Sequence, residues 1–320
     1  MQNKVAIIIL NWNLLGDTIE CLNSCLKIDY PNYEILVFDQ NSDQNHAEII
    51  RKKYKNYPQI KSIRLDKNYG FAEGNNIGMR LALKNPDVDY AICLNNDAII
   101  EPDFIAEMVK TAKQGFDMVN AHVHSYHDHD KIDNLGMEVT AGMLTFNRIN
   151  NSKKLFCPTG CAVLYSRTLL EQVKLGNDYF DSNYFCYAED FDLGFRALLK
   201  GFKPAVANTK VFHKGSLSTS KMSDFAIYHT YRNIVWTIIK NLPTKLFFKY
   251  LWKIKLAHWA IIILYCKRLK PRLILKAYFD AFKQLPKALK QRKIIQKNKI
   301  ISNAELEKFI TSGLFSKDYF

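Results

Sequence analysis

Four short runs of apolar and β-branched residues mark the first hundred positions, at 5–10, 34–38, 60–65 and 90–94. Between them, at 18–27, 47–54 and 72–84, apolar residues recur with helical spacing. Alternation of this kind predicts a mostly parallel sheet flanked by helices, with a further strand at 118–121 after a helix that Pro102 begins. In such sheets ligands bind beyond the carboxyl ends of the strands. Those ends are polar here: Leu10-Asn11-Trp12-Asn13, Asp39-Gln40-Asn41-Ser42-Asp43, Asn68-Tyr69-Gly70-Phe71 and Asn95-Asn96-Asp97. A lone Asp or Asn after a strand commonly caps the next helix. Four polar ends converging on one sheet edge point instead to a ligand site.

The chain of 320 residues, 48% hydrophobic, holds enough material for one large α/β domain and an appendage. Its seven cysteines form no paired CxxC clusters, and Cys157 and Cys161 have no histidine at finger spacing, so they read as idle thiols of a reducing compartment. The apolar run after Lys4 gives way to Asn11 and suits a buried strand better than an export signal. Residues 122–155, where His122, His124, His127 and His129 alternate with acids, read as an irregular solvated loop rather than a metal site. A strand interrupted by Gly160 is expected over 156–165, and a helix over 191–199.

Charge divides the chain. Between Lys221 and Lys299 stand 19 Lys and Arg against Asp224 and Asp280, a net of +17, whereas the whole chain carries +14; the remainder is therefore at −3. A basic tail of this kind suggests a polyanionic surface as partner, either nucleic acid or anionic lipid.

Taken in order, the motifs resemble the large inverting glycosyltransferase family 2 of GT-A fold, in its rhamnosyltransferase-like branch. Val5-Ala6-Ile7-Ile8-Ile9-Leu10-Asn11-Trp12-Asn13 is similar to the family's first strand and nucleotide-contacting turn. Val37-Phe38-Asp39 resembles its second strand, whose aspartate meets the base, and Asn68-Tyr69-Gly70-Phe71-Ala72-Glu73-Gly74-Asn75-Asn76 resembles the rhamnosyltransferase version of the next motif. The resemblance covers residues 4 to 240 and implies nucleotide contacts from Asn11, Asn13, Asp39, Asn68, Gly70, Asn75 and Asn96. Leu94-Asn95-Asn96-Asp97 falls where the family carries its DxD-type motif, with Asn95 in place of the first acid. A departing nucleoside diphosphate gathers negative charge, which a divalent cation, Mg²⁺ or Mn²⁺, stabilises through oxygen ligands. The resemblance implies Asp97 as a ligand and His213, in Phe212-His213-Lys214-Gly215-Ser216, as its partner, with Lys214 and the Gly215-Ser216 backbone near phosphate. Tyr187-Ala188-Glu189-Asp190-Phe191-Asp192 matches the family's glutamate-aspartate motif. The resemblance implies that its aspartate, Asp190, takes the proton from the acceptor hydroxyl. Glu189, Asp192, Arg196 and Gly160 then orient acceptor and donor.

The expected organisation is a GT-A catalytic domain over 1–220, its nucleotide half about 1–120 and its acceptor half about 121–220, followed by a basic helical region over 221–320. In that region one helix carries an apolar stripe of Leu246, Phe247, Tyr250, Leu251, Ile254 and Ala257 beside Lys245, Lys249 and Lys253. A second follows Pro271, with Leu273, Ile274, Ala277, Tyr278, Ala281, Phe282 and Leu285. Trp252, Trp259 and Tyr265 among lysines suggest a helix lying in a membrane interface. The function expected is transfer of a sugar from dTDP-rhamnose or a UDP-sugar to a glycan or lipid-linked acceptor of cell-surface polysaccharide synthesis. The chain is then cytoplasmic and peripheral to the inner face of the cell membrane, with no nucleic-acid partner. A nucleic-acid- or membrane-binding protein on a Rossmann-like fold, and an inactive transferase homologue, are the alternatives; a sugar nucleotidyltransferase lacks support because the first turn has no glycine-rich phosphate loop.

Overall fold

The computed structural model describes residues 2–215 and 223–316; Ser216 lies outside the described residues. The front begins as a regular alternation: β1 (Lys4–Asn11), α1 (Leu15–Cys25), β2 (Tyr33–Asp39), α2 (His46–Lys53), β3 (Ile60–Arg64), α3 (Gly70–Ala82) and β4 (Val88–Asn95). These strands pair in parallel in the order β3-β2-β1-β4. Their registers set Asn11 beside Asp39 and Leu10 beside Asn95, so the polar strand ends meet on one edge. Val5, Ala6, Ile7, Ile8 and Ile9 are all fully buried because helices cover both sheet faces.

The chain continues through β5 (Ala98–Ile100), α4 (Phe104–Ala112), β6 (Met118–Ser125), β7 (Ile132–Asn134), β8 (Met137–Thr140), β9 (Thr145–Asn147), β10 (Ala162–Ser166), α5 (Arg167–Val173), α6 (Glu189–Leu199) and β11 (Pro204–His213). Strand β10 runs antiparallel between β4 and β6, β11 lies parallel to β6, and β5 closes the edge antiparallel to β11. The parallel character thus belongs to the first block, and the sheet turns mixed beyond β4.

Two expectations change here. Residues 122–155 are not an irregular solvated loop: they finish β6 and form β7, β8 and β9, the last two in a small separate sheet. Strands of three or four residues are too short to show a period, and their buried side chains include polar Asn134, Glu138 and Thr140. The strand expected over 156–165 starts only at Ala162, since Pro158 has no N–H to give a ladder.

Behind the sheet come α7 (Asp224–Asn241), α8 (Thr244–Lys267), α9 (Pro271–Lys283), α10 (Leu285–Lys297), α11 (Asn303–Glu307) and β12 (Ile310–Thr311). The sequence reading found two of these helices and missed α7, which opens with the Ser223 hydroxyl accepting from the Ala226 N–H. Leu285 does not extend α9; it starts α10, with Pro286 in the first turn, where a missing N–H is harmless. Ile234, Trp236, Leu242 and Leu246 share one apolar core with Phe156, Phe191 and Phe195. Strand β12 pairs in parallel with β8, returning the end of the chain to the front half. Among the described residues, no helix is long and apolar enough to cross a membrane.

Candidate active site

A cleft of about 510 Å³ opens where β1 and β4 end. Leu10 and Leu94 contribute apolar wall, and Asn75, Asn95, Asn96, Asp97, Gly160, Glu189, Asp190 and His213 supply its polar groups.

The first two strand ends act as struts behind this wall. Asn11, fully buried, donates from Nδ2 to Asp39 Oδ1 at 3.1 Å and to Ser42 Oγ at 3.3 Å, and accepts from Thr18 Oγ1 at 2.9 Å. Asp39 also takes the Ser42 N–H at 3.2 Å and Arg64 Nη1 at 3.2 Å, so both of its oxygens are engaged. Asn13 sits at a left-handed φ of 58°, donating its N–H to Ser42 Oγ and accepting from the Asp43 N–H. Asn68 accepts the Gly70 N–H at 2.8 Å. Gly70 has φ of 75°, and a Cβ there would stand 2.4 Å from the Phe185 carbonyl oxygen, so only glycine fits. Neither Asn68 nor Gly70 is part of the cleft wall. Asn75, in the wall, donates to the Phe71 carbonyl, and Asn96 donates to Thr18 Oγ1.

His213 ends β11 with its ring between two carboxylates: Nε2 lies 3.3 Å from Asp97 Oδ1, and Nδ1 lies 3.2 Å from Asp133 Oδ2. Burial lowers its pKa, but the neighbouring Cys161, Asp133 and Asp97 outweigh burial and raise it. Asp133, on β7, was hidden in the supposed loop and no sequence signal marked it. The pair Asp97–His213 fits a divalent cation. Cis ligands at roughly 2.1 Å from an octahedral ion stand about 3.0 Å apart, close to the observed separation. Among the described residues no group of three or more His, Cys, Asp or Glu is placed to hold a metal. The remaining ligands of an ion here would come from phosphate and water.

Asp190 stands in the first turn of α6, half-buried, with Oδ2 accepting the Gly160 N–H at 3.0 Å and Oδ1 accepting the Phe191 N–H at 2.7 Å. Burial pushes its pKa up, and these two N–H groups only partly offset the rise. A Cβ on Gly160 would lie 2.9 Å from Phe71 Cζ, so glycine here makes room for that ring beside Asp190. Glu189 is buried, and Oε2 has no hydrogen-bond partner among the described residues. Burial, then the Asp190 charge, raises its pKa well above the usual range.

Asp192 and Arg196 do not reach the cleft. Asp192 is fully buried and binds Arg196 at 2.9 Å and Lys240 at 2.8 Å; Lys240 also binds Asp181 at 2.7 Å. Two cations and two carboxylates thus balance beneath α6, joining it to α7.

The segment before Glu189 is strained: Phe185, Tyr187 and Ala188 have φ of 63°, 69° and 62°, although none is glycine. Asn233 of α7, fully buried, holds it. Its Nδ2 donates to the carbonyls of Tyr184, Cys186 and Tyr187 at 3.1, 2.9 and 2.7 Å. Asn233 sits inside a helix-period segment, where nothing in the sequence distinguishes it from a surface amide.

Sheet order, the cleft at the strand ends and its acidic residues define a transferase of GT-A architecture. Glycosyl transferase family 2 matches residues 6–174, and the chain belongs to that family of glycosyltransferases. The matched part includes Asp97 and ends before Glu189, Asp190 and His213. Over 257 residues the chain is 25% identical to a Methanococcus voltae dolichyl N-acetylglucosaminyl phosphate diacetamido-dideoxyglucuronosyltransferase, covering 73% of this chain and 77% of that protein. Residues 1–349 of Staphylococcus aureus TarS, in complex with UDP-GlcNAc, are 18% identical with a TM-score of 0.57, covering 96% of this chain and 89% of that one. A Pyrobaculum calidifontis mannosyltransferase, in complex with GDP-Man and Mn²⁺, is 15% identical with a TM-score of 0.53, covering 93% and 75%.

Proposed function

We propose that this glycosyltransferase moves one sugar, with inversion, from dTDP-rhamnose or a UDP-sugar to a glycan or lipid-linked acceptor of cell-surface polysaccharide synthesis. The observation that carries this reading is that Asp190 and the Asp97–His213 pair open into one cleft. Asp190 is the base: its carboxylate, held by the Gly160 and Phe191 N–H groups, keeps a lone pair for the acceptor O–H. As that proton passes to Asp190, the acceptor oxygen bonds to the anomeric carbon and the bond from that carbon to the diphosphate breaks. Asp97 and His213 would hold Mg²⁺ or Mn²⁺, which when bound stabilises the charge on the departing diphosphate.

Asn75 and Asn96, which open into the cleft, are the nucleotide contacts this reading favours. Asn11, Asn13, Asp39, Asn68 and Gly70 then shape the turns that frame the nucleotide. Glu189 and Gly160 orient the reacting sugars, while Asp192 and Arg196 act by supporting α6. Residues 1–120 serve the donor, 121–220 the acceptor, and the basic region 221–320 brings the enzyme to the inner face of the cell membrane.

The test is a screen of sugar-nucleotide hydrolysis with and without Mg²⁺ or Mn²⁺, run on the native chain and on Asp190→Asn. One favoured donor, dependence on metal and loss of turnover in the variant support the reading. Undiminished turnover by Asp190→Asn would sink the base assignment.

A further inference from the structure

Helix α8 is apolar on two opposite faces. Leu246, Ala257, Ile261 and Tyr265 are buried, Leu246 in the main core and the others in a smaller cluster with Ile274 and Ala277 of α9. At the helical positions diametrically across, Phe248, Trp252, Leu256, Trp259 and Ile263 form a second stripe within an 80° arc, at about 100° per residue. Each of these five is more than half exposed. The stripe expected from the sequence is therefore the one that packs inward; of the three aromatics expected at a membrane interface, Trp252 and Trp259 lie on the outward stripe, whereas Tyr265 packs inward. Helix α9 repeats the arrangement, burying Ile274, Ala277 and Ala281 while leaving Leu275, Phe279 and Phe282 more than half exposed.

The turn between these helices adds an independent observation. Lys270 N–H bonds the Tyr265 carbonyl at 2.9 Å and Leu269 N–H bonds that of Cys266 at 3.1 Å, which is the Schellman ending of a helix. The residue at its left-handed position is ordinarily glycine. Here it is Leu269, at φ of 59° and 90% exposed, between Arg268 and Lys270. A leucine held in a disfavoured conformation and turned to solvent stabilises nothing within the fold.

We infer that the outer stripes of α8 and α9, with Leu269 at the turn, form a docking face for the surface of an anionic lipid bilayer. This deepens the membrane part of the reading above and rests on it only for the identity of the acceptor. Charge selects the occupant: between residues 244 and 300 stand sixteen Lys and Arg against Asp280 alone. A second copy of the chain would bring two such basic faces together. Nucleic acid would satisfy the lysines but leave Leu256, Ile263 and Leu269 without an apolar partner. An anionic bilayer satisfies both, aromatic and aliphatic side chains entering the acyl boundary while lysines meet headgroups. No helix among the described residues is long and apolar enough to span the bilayer, so the face lies in the interface plane.

The test is co-sedimentation of the full chain with phosphatidylcholine vesicles with and without phosphatidylglycerol, followed also by tryptophan emission. Binding that needs phosphatidylglycerol, with a blue shift, is expected. Trp252→Ser/Trp259→Ser lowers partitioning by about tenfold or more. Leu269→Gly also weakens binding yet raises the melting temperature, opposite movements that a purely structural leucine would not give. Donor hydrolysis in solution stays at the native level in both variants, so failure of vesicle binding and failure of sugar transfer are read separately. Native vesicle binding by both variants overturns the inference. So does lipid-independent dimerisation, or duplex-DNA binding, that these substitutions abolish.

Discussion

Asn233 Nδ2 stands 2.7 Å from the carbonyl oxygen of Tyr187, and the same nitrogen serves the carbonyls of Tyr184 and Cys186. A residue of α7 thereby holds the strained turn from which Glu189 and Asp190 project. Left-handed φ at a non-glycine residue costs on the order of 1 kcal/mol or more, and such conformations persist only where surrounding structure imposes them. Replacing Asn233 by Ala removes that hold and takes a donor from the carbonyls of Cys186 and Tyr187, while that of Tyr184 keeps Arg232 and the Cys186 N–H. The expected outcome is a kcat lowered about a hundredfold, with donor KM nearly unchanged and stability reduced by about 1–3 kcal/mol. Steady-state kinetics beside a thermal melt check it; native kcat with only a lower melting temperature shows that the turn does not need Asn233.

Asp190→Asn keeps the shape of the side chain and removes its basicity. Transfer is expected to fall by a factor of about 10²–10⁴ while nucleotide affinity, measured by calorimetry, stays native. In the native enzyme burial raises the Asp190 pKa. The carboxyl is therefore protonated and inactive over a wider acid range than an exposed aspartate, and kcat/KM climbs as pH rises through the raised value. An acid limb at the ordinary aspartate position would contradict the desolvated site.

Much of this was legible in advance, for a physical reason. Buried parallel strands carry apolar runs, so β1, β2 and β4 and their polar ends Asn11, Asp39 and Asn95 stand out by composition alone. Glu189 and Asp190 stand out because three acids, with Asp192, crowd the first turn of a largely apolar helix. Asp133 did not, since β7 is three residues long and shows no period. Asn233 did not, because an amide inside a helix reads alike whether it faces water or three carbonyls. Helix α8 exposes the limit of periodicity most plainly: with apolar stripes on opposite faces, the pattern cannot say which one meets the core.

Lys240 lies 2.7 Å from Asp181 and 2.8 Å from Asp192 and is almost wholly buried. Lys240→Met leaves two carboxylates facing a dry core with Arg196 as the neighbouring cation, and is expected to destabilise the fold by about 3–5 kcal/mol in denaturant titration. Burial raises the pKa of Asp181 and Asp192, but Lys240, together with Asn183 for Asp181 and Arg196 for Asp192, more than offsets it, and both end below the ordinary value. Their folded-state pKa values lie below the unfolded ones. The stabilisation is then complete above the unfolded aspartate pKa, about 3.9, and is lost as pH falls toward the folded values. The variant lacks the part of this acid-side loss that Lys240 supplies, so its stability curve is flatter below that pH.

His213 stands between Asp97 and Asp133, and its two nitrogens have separate tasks in the metal-holding role proposed for it. For Nε2 to bind a cation it must carry no proton, so Nδ1 must carry the hydrogen and donate it to Asp133, which fixes the ring. Without metal the pKa of His213 is raised by its acidic surroundings despite burial. Cation binding must then expel a proton, and affinity for Mn²⁺ in the presence of nucleoside diphosphate should rise with pH. Calorimetry in buffers of different ionisation enthalpy measures that proton directly. Asp133→Ala frees the ring and removes the charge that supports its basicity, and is expected to weaken Mn²⁺ binding by about 10–100-fold. Asp133→Asn, which still accepts from Nδ1, should recover part of that loss. Binding that releases no proton and is indifferent to both substitutions would show that a cation here does not use His213.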